Sequence, residues 1–466
     1  MTSSKPSLFL AYYGDDLTGS TDSLEALTLA GLKAILFLRP PRPADLARYP
    51  GIRALGVAGT TRAMKTDAMD ETLRAAFAAF LTLNPRHVHY KVCSTFDSSP
   101  AIGSIGRALD IGAEVFRSSL TPVVGGAPSL GRYCAFGNLF ARADIGAGGE
   151  IHRLDRHPSM SRHPVTPALE GDLRELLALQ TRKRIVSFDV LKLDLHFAAA
   201  AAALNRLKEE GADVVLFDAI DEDDVARIGE LLEKRATGGR PLFSVGPSSV
   251  EVALGARWRR RAKAVRGRPR MATGTAMPLL VGSGSCSAVT EQQISWALGH
   301  GFAGVEIDTA SALRSDELPA PDVAAAASTV RHLRAGRGVI LHTSRGVSDP
   351  RVAAAREIGL QRGVAQEQMT SRLGCVLGLT MWRILGEVSL PRVAVAGGDS
   401  SSYSARALGV EALEMIARLT PGGPLCRARA PGSPVDGCEI VFKGGQVGGR
   451  DYFGLLASGR QNPNRS

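Results

Sequence analysis

No apolar run in this chain approaches the roughly 18 residues that a membrane-spanning helix requires, which sets a helical membrane protein aside. Cysteine is sparse. Cys93, Cys134, Cys286, Cys375, Cys426 and Cys438 are scattered, with no CxxC pair and no partner histidines at metal-ligand spacing, so reduced thiols and no structural zinc are expected. The Walker pattern GxxxxGK[ST] is missing, and the turn GSGSCS lacks the third glycine of a dinucleotide fingerprint. A P-loop enzyme and an ordinary Rossmann dehydrogenase are thereby disfavoured. There is no internal repeat, heptad or long low-complexity tract. The opening segment MTSSKPSLFLAYYGDD has too short an apolar stretch for a signal peptide, so it is expected to lead directly into a first strand of a cytoplasmic protein.

What is present is an ordinary globular composition, 44% hydrophobic and 22% charged over 466 residues. That length accommodates about two domains, each with its own core. The 56 basic and 46 acidic residues give a net charge of +10, and part of the excess lies in Arg257–Arg270, RWRRRAKAVRGRPR. With Trp258 as its one aromatic it shows no aromatic–basic interleaving, and no nucleic-acid reader motif accompanies it, so it reads as a solvated linker. The remaining positive balance suits an anionic small substrate. Neither a nucleic-acid nor a membrane partner is expected, and a homo-oligomer is compatible with everything here.

Short apolar runs at Lys33–Leu38, Ala54–Ala58, His87–Lys91, Ile185–Phe188 and Val214–Phe217 read as strands. Helical patterns stand between them at Thr66–Leu83 and around His196–Glu210. A second alternating series follows the basic run, with strands at Pro278–Val281, Gly304–Ile307, Val339–His342, Val393–Ala396 and Glu439–Phe442, and helices such as Glu291–Leu298 and Val323–Leu333. The alternation predicts an α/β protein of two domains, each a mainly parallel sheet flanked by helices, with the active site in the cleft between them. The expected division is residues 1–256, a basic linker over 257–276, and residues 277–466. The stretch Val123–Pro167, rich in Gly, Pro, Arg and His, is too long for an idle loop.

The segment Tyr12–Asp22, YYGDDLTGSTD, places Asp15 and Asp16 where a strand gives way to a helix, the edge at which open α/β sheets hold ligands. One aspartate could serve as a helix N-cap; two in succession, followed by Thr18 and Gly19, suggest chemistry. Arg62 after the third strand, and Lys91, Ser94 and Thr95 after the next, share that edge. Cations beside hydroxyls suit a carboxylate or a polyhydroxy acid. Arg132 and Arg162 in the long stretch read as substrate contacts or lid structure, whereas for His157 and His163 a structural role fits equally well. In the second half, Ser283, Ser285 and Ser287 lie in GSGSCS, Gly397, Gly398, Asp399 and Ser400 in GGDS, and Gly444 and Gly445 in KGGQVGG. Each turn follows a strand. Together they predict a nucleotide phosphate site, because glycines admit a phosphate to backbone N–H groups and helix N-termini favour anions.

Taken in order, GDDLTGSTD, YKVCSTFDSSPAIGSIGRAL, GAPSLGRYCAFGN, GSGSCSAVTEQQI, AGGDSSSYSARALG and PGSPVDGCEIVFKGGQVGG resemble the blocks of the four-carbon acid sugar kinases, over nearly the whole chain. The resemblance implies an ATP-dependent kinase of small sugar acids such as threonate, erythronate and 3-oxo-tetronates, with the acid held by the N-terminal domain and the nucleotide by the C-terminal one. The chain has KVCSTFDSSP where much of the family has KxDSTLRG, GAPSLGR where many have PAFPEAGR, and KGGQVGG instead of KSGNFG. With DRHPSMSRHPVTP, it looks like a divergent branch whose substrates extend to branched oxo-acids such as 3-oxo-isoapionate.

The expected chemistry follows. Arg62, Lys91 or Arg132 holds the carboxylate, Asp16 in preference to Asp15 takes the hydroxyl proton, and Asp399 meets the Mg²⁺ on the phosphates. Two other classes stay open at this level. One is a non-catalytic regulator that binds a sugar acid and a nucleotide. The other is an aldolase or dehydrogenase, for which Lys91 is the only lysine placed to form a Schiff base.

Overall fold

The computed structural model describes residues 8–143, 149–162, 166–236, 239–261, 273–346 and 348–459. They fall into two compact units. The first takes in the chain up to Asp15, Ala26–Ile35, and Arg39 onward through the helix Ser249–Arg261. The second takes in Asp16–Glu25, Leu36–Leu38 and the chain from 273 onward.

Among the described residues eleven strands precede the helix Ser249–Arg261: β1 (Leu10–Gly14), β2 (Ala34–Phe37), β3 (Ala54–Ala58), β4 (His87–Lys91), β5 (Thr121–Val124), β6 (Arg132–Ala135), β7 (Asn138–Arg142), β8 (Ile151–Arg153), β9 (Ile185–Phe188), β10 (Val214–Phe217) and β11 (Leu242–Gly246). In the first unit seven of them run parallel in the order β3-β1-β4-β11-β5-β10-β9. β1, β3, β4 and β5 are buried along their whole length; β1 and β3 accordingly read as near-continuous apolar runs, whereas β4 also buries His87, His89 and Lys91. The helix Thr66–Leu83 buries Met69, Leu73, Ala76, Phe77 and Phe80, spaced by three and four residues, and stops where Asn84 turns left-handed at φ 46°.

Much of the stretch expected as a long loop is structured. β6, β7 and β8 form a small antiparallel sheet. Its first hairpin closes on Phe136 and Gly137, both with positive φ, a two-residue turn of the kind Asn-Gly usually makes. Phenylalanine is a poor signal for such a turn, and here a distant residue compensates. The buried carboxylate of Asp218 accepts the Phe136 and Gly137 N–H groups.

The basic run is not linker from its start. The helix Ser249–Arg261 carries through its first residues: Arg257 and Arg260 bond Glu230 at 2.9 and 2.7 Å, and Trp258 packs on Phe9 beneath the Arg53 guanidinium. Ion pairing and an aromatic contact hold as helix what composition alone marks as solvated. Residues 262–272, and His163, lie outside the described residues.

The second unit has β12 (Leu280–Ser283), β13 (Ala303–Glu306), β14 (Val339–His342), β15 (Arg392–Ala396), β16 (Ala412–Thr420), β17 (Gly423–Arg429) and β18 (Glu439–Lys443). Five are parallel in the order β13-β14-β12-β15-β18, and the hairpin β16–β17 continues the sheet antiparallel. Leu36 and Phe37 pair antiparallel with Leu413 and Ala412 of β16. The hairpin was not among the expected strands, although β16 alternates buried and half-buried residues and Gly422 supplies a positive φ between the two strands. Among the described residues Arg392 is the bulkiest fully buried side chain. It pairs with Glu439 at 2.6 Å and donates to the Leu456 carbonyl and the Thr273 hydroxyl, so β15, β18 and the helix Tyr452–Ser458 share one buried cation.

Candidate active site

In the first unit, the strand ends after β1, β3 and β4 gather the expected acid-binding residues. Both oxygens of Asp15 are engaged by Arg62, Nη2 to Oδ1 at 2.8 Å and Nε to Oδ2 at 3.1 Å, and Oδ2 also accepts the Cys93 N–H at 3.2 Å. Arg62, expected to meet a substrate carboxylate, thus already holds one of the chain's own in a bidentate fork. The Arg62 carbonyl is approached so closely by Gly103 that an added Cβ would stand 2.4 Å away. Lys91 is buried at the end of β4, and Ser94 is half-buried beyond it. Thr95 donates to Asp97 at 2.7 Å and lies 3.0 Å from the Cys93 thiol, in a tight turn that puts buried Phe96 at φ 53°. A bulky residue held left-handed is strained, and such strain gathers at functional turns.

Arg132 Nη1 donates to the carbonyls of Leu130, Gly131 and Arg142, while its Nε is buried without a partner. Burial pulls its pKa down, and the charges of Cys93 and Asp97 counter that pull. Arg162 stands exposed on the short turn Met160–Arg162, and no described contact brings it to this group. His157 is buried, and its Nδ1 accepts the Ser159 and Met160 N–H groups, a structural role.

The second unit brings its three glycine-rich turns together. Ser287 caps the helix Ala288–Gly299, and its hydroxyl donates to the Gly445 carbonyl at 2.5 Å, as Thr290 does at 2.9 Å. A Cβ on Gly445 would stand 3.0 Å from Ser285 Oγ, and one on Gly284 would stand 2.6 Å from Ser400 Oγ. Ser283 lies fully buried at the end of β12, beneath the turn, with its hydroxyl unpaired. Gln293 donates to the Val447, Gly448 and Gly449 carbonyls at 3.0, 3.1 and 3.0 Å, pinning the last turn. Asp399 is exposed in the first turn of the helix Gly398–Ala407. Among the described residues no group of three or more His, Cys, Asp or Glu is arranged to hold a metal.

Asp16 belongs to this second unit. Its carboxylate accepts the Gly19 N–H and the Thr18 hydroxyl, both at 2.7 Å, and Thr18 Oγ1 would lie 3.9 Å from a Cβ on Gly444. The neighbouring aspartates are therefore held by different units. Sequence spacing could not separate them.

Lys443, Thr290 and Gln293 were not singled out from the sequence. Lys443 is fully buried at the end of β18, donates to Thr290 Oγ1 at 3.0 Å and sits over the Tyr452 ring. Its place directly before the Gly444–Gly445 turn was the available signal.

Residues 10–254 match the model of a sugar-binding N-terminal domain and residues 280–453 that of a nucleotide-binding C-terminal domain. The chain belongs to the four-carbon acid sugar kinase family. A Paraburkholderia graminis protein named 3-oxo-isoapionate kinase is 43% identical, covering 97% of this chain and 95% of that protein. A Methylobacterium radiotolerans 3-oxo-tetronate kinase is 29% identical, covering 96% and 98%. The fold recurs in a crystal structure from Salmonella typhimurium LT2 described as a tRNA synthase, at 24% identity, TM-score 0.70 and coverage of 96% and 98%. For this kinase-family chain the α/β, two-domain reading of the sequence holds.

Two expectations follow from the turns. Gly397 has φ 128°, and a Cβ there would meet Ser400 Oγ at 2.3 Å and the Ser285 nitrogen at 3.2 Å. Gly397→Ala should therefore distort the turn at a cost of about 1–3 kcal/mol, seen as a KM for ATP raised roughly tenfold or more; an unchanged KM would place the nucleotide elsewhere. Burial also pushes the Lys443 ammonium down to about 7. The unfolded chain then binds the extra proton above that pH, so stability rises from about pH 7 towards the ordinary lysine range and the penalty is complete below it. Thermal melts across that window should rise less steeply for Lys443→Met than for the parent protein.

Proposed function

We propose that this protein transfers the γ-phosphoryl group of ATP to a hydroxyl of a branched 3-oxo sugar acid of the 3-oxo-isoapionate type. The observation that carries the substrate is the 43% identity to the 3-oxo-isoapionate kinase, which extends over 97% of this chain. The general activity, a sugar-acid kinase, is common to that relative and to the 3-oxo-tetronate kinases.

Phosphoryl transfer depends on positioning and charge neutralisation more than on covalent help. In the first unit, Lys91, Arg132 and the Ser94 hydroxyl offer donors for a carboxylate, and Thr95, whose own proton goes to Asp97, offers an acceptor for a neighbouring hydroxyl. Arg62 acts through Asp15, whose orientation it locks. Asp16 accepts the proton of the reacting hydroxyl, or orients that hydroxyl, within the general-base role of a carboxylate. The backbone N–H groups around Ser285, Ser287, Gly397–Ser400 and Gly444–Gly445 receive the phosphates. A magnesium ion, when bound, neutralises phosphate charge, and Asp399 is the carboxylate that would hold it; one carboxylate plus phosphate oxygens is a usual arrangement for this ion.

Coupled ADP production with Mg-ATP against a panel of tetronates, 3-oxo-tetronates and branched oxo-acids tests the reading. The expected result is a kcat/KM for the branched 3-oxo acid about tenfold or more above that for its linear counterparts. The 27–29% identities to 3-oxo-tetronate kinases favour the linear acid as the second reading, and a reversed preference would establish it. Failure to bind ATP in calorimetry would remove the kinase assignment.

A further inference from the structure

Phosphoryl transfer gives no direct task to Glu25, yet it is a carboxylate only 4% exposed, on the helix Leu17–Leu29 and within the segment Asp16–Glu25 of the second unit. Its Oε1 pairs with Arg418 Nε at 2.7 Å, and its Oε2 accepts the Gly422 N–H at 3.1 Å. Gly422, with φ 72°, is the tip of the hairpin β16–β17, just before the paired residues Thr420 and Gly423 close on each other. Replacing a buried ion pair by apolar side chains of similar volume is often neutral or stabilising. Packing alone therefore does not account for a glutamate here.

The contacts around Glu25 lead to the last glycine-rich turn. Thr18, Asp22 and Glu25, four and three residues apart, share one face of the helix. At the start of that face Thr18 donates to Asp16 at 2.7 Å, and Thr18 Oγ1 would lie 3.9 Å from a Cβ on Gly444. Further along, Glu25 holds the hairpin tip, where a Cβ on Gly422 would lie 4.0 Å from Val447 Cγ2 and one on Gly423 3.3 Å from Val447 Cγ1. Val447 donates its N–H to the Gly444 carbonyl at 3.2 Å. The helix that follows Asp16 thus meets this turn twice, directly at Gly444 and through Gly422 at Val447. Burial, and then the Asp22 charge, raise the Glu25 carboxyl to about 7, against the pull of Arg418 and the Gly422 N–H. Around it stand also Cys426 and Tyr452, which burial and then the Glu25 charge push up, and Lys443 over the Tyr452 ring. Only the ionised carboxylate accepts at both oxygens. The folded chain keeps this proton to higher pH than the unfolded chain, so stability falls from the ordinary glutamate range up to about pH 7, where the hold on the hairpin becomes complete.

We propose that Glu25 is a positioning residue for phosphoryl transfer, fixing Asp16 relative to the Gly444–Gly445 turn by way of the hairpin tip; this rests on the kinase reading above. Ser287, Thr290 and Gln293 fasten the turn independently, so ATP should bind without Glu25. Glu25→Met should lower kcat about ten- to a hundredfold, the scale of an ångström of misplacement. The melting temperature should not fall, and calorimetric ATP affinity and the KM for the acid should stay within a few-fold. Single-turnover transfer by the parent protein should rise through about pH 7, and Glu25→Met should lose that rise. A folded variant with the parental kcat overturns the assignment, and so does a kcat lost only in step with the folded fraction. Should the variant not fold, the parent profile decides: a rate flat from about pH 6 to 8 overturns the assignment, and a rise supports it. If the parent protein transfers phosphoryl groups in these cases, only the role of Glu25 is lost; if it neither binds nor consumes ATP, the kinase reading is lost as well.

Discussion

Asp16→Asn is expected to lower kcat by roughly 10²–10⁴-fold, the usual contribution of a positioned general base, with ATP affinity unchanged within a few-fold. Asparagine suits this test because of what Asp16 does locally. Its Oδ1 accepts the Gly19 N–H at 2.7 Å at the start of the helix Leu17–Leu29, and asparagine caps helices about as well as aspartate. Stability should therefore stay level while the charge needed to take a proton is removed. Calorimetry with ATP and single-turnover transfer to the acid separate the two effects. A variant that transfers normally would exclude Asp16 as the base, and one that no longer binds ATP would place it with the nucleotide alone.

Arg62→Met carries the second large effect. The guanidinium holds both oxygens of Asp15, and the Asp15 side chain is only 5% exposed against 21% for Arg62. Breaking a fully buried pair costs about 3–5 kcal/mol; partial exposure of the arginine reduces this to about 2 kcal/mol. A lower melting temperature is expected, with kcat/KM for the acid reduced roughly 10²-fold or more. Arg62→Lys should rescue little, since lysine cannot reproduce the fork. Because Arg62 lies in the first unit, ATP affinity should be retained. If the loss were confined to the KM for the acid, with kcat intact, Arg62 would be a substrate ligand and not the positioning partner of Asp15.

The expected strands Ala54–Ala58 and His87–Lys91 and the helix Thr66–Leu83 coincide with the observed elements. Burial on both faces leaves Ala54–Ala58 a continuous apolar run, His87–Lys91 keeps Val88 and Tyr90 in alternation with polar residues, and burial on one helical face leaves a 3.6-residue period; all three signals are local. The hairpin at Phe136–Gly137 escaped because its turn is stabilised by Asp218, a residue distant in sequence. The start of the basic run is helix and not linker for the same kind of reason: Glu230 and Phe9, both distant in sequence, hold it.

The candidate site divides along the same line. The sequence by itself determined the residue types at the strand ends, the three glycine-rich turns and the α/β alternation, because turn chemistry and periodicity are written within a few consecutive residues. Only the tertiary structure decided that Asp15 is locked by Arg62, that Asp16 is held in the other unit beside Thr18 and the Gly444 turn, and that Ser287 and Thr290 fasten Gly445. Apart from Asp16 and Thr18, those partners lie far apart along the chain. Hydrogen-bond directions and close backbone approaches between them exist only once the sheets have formed and packed.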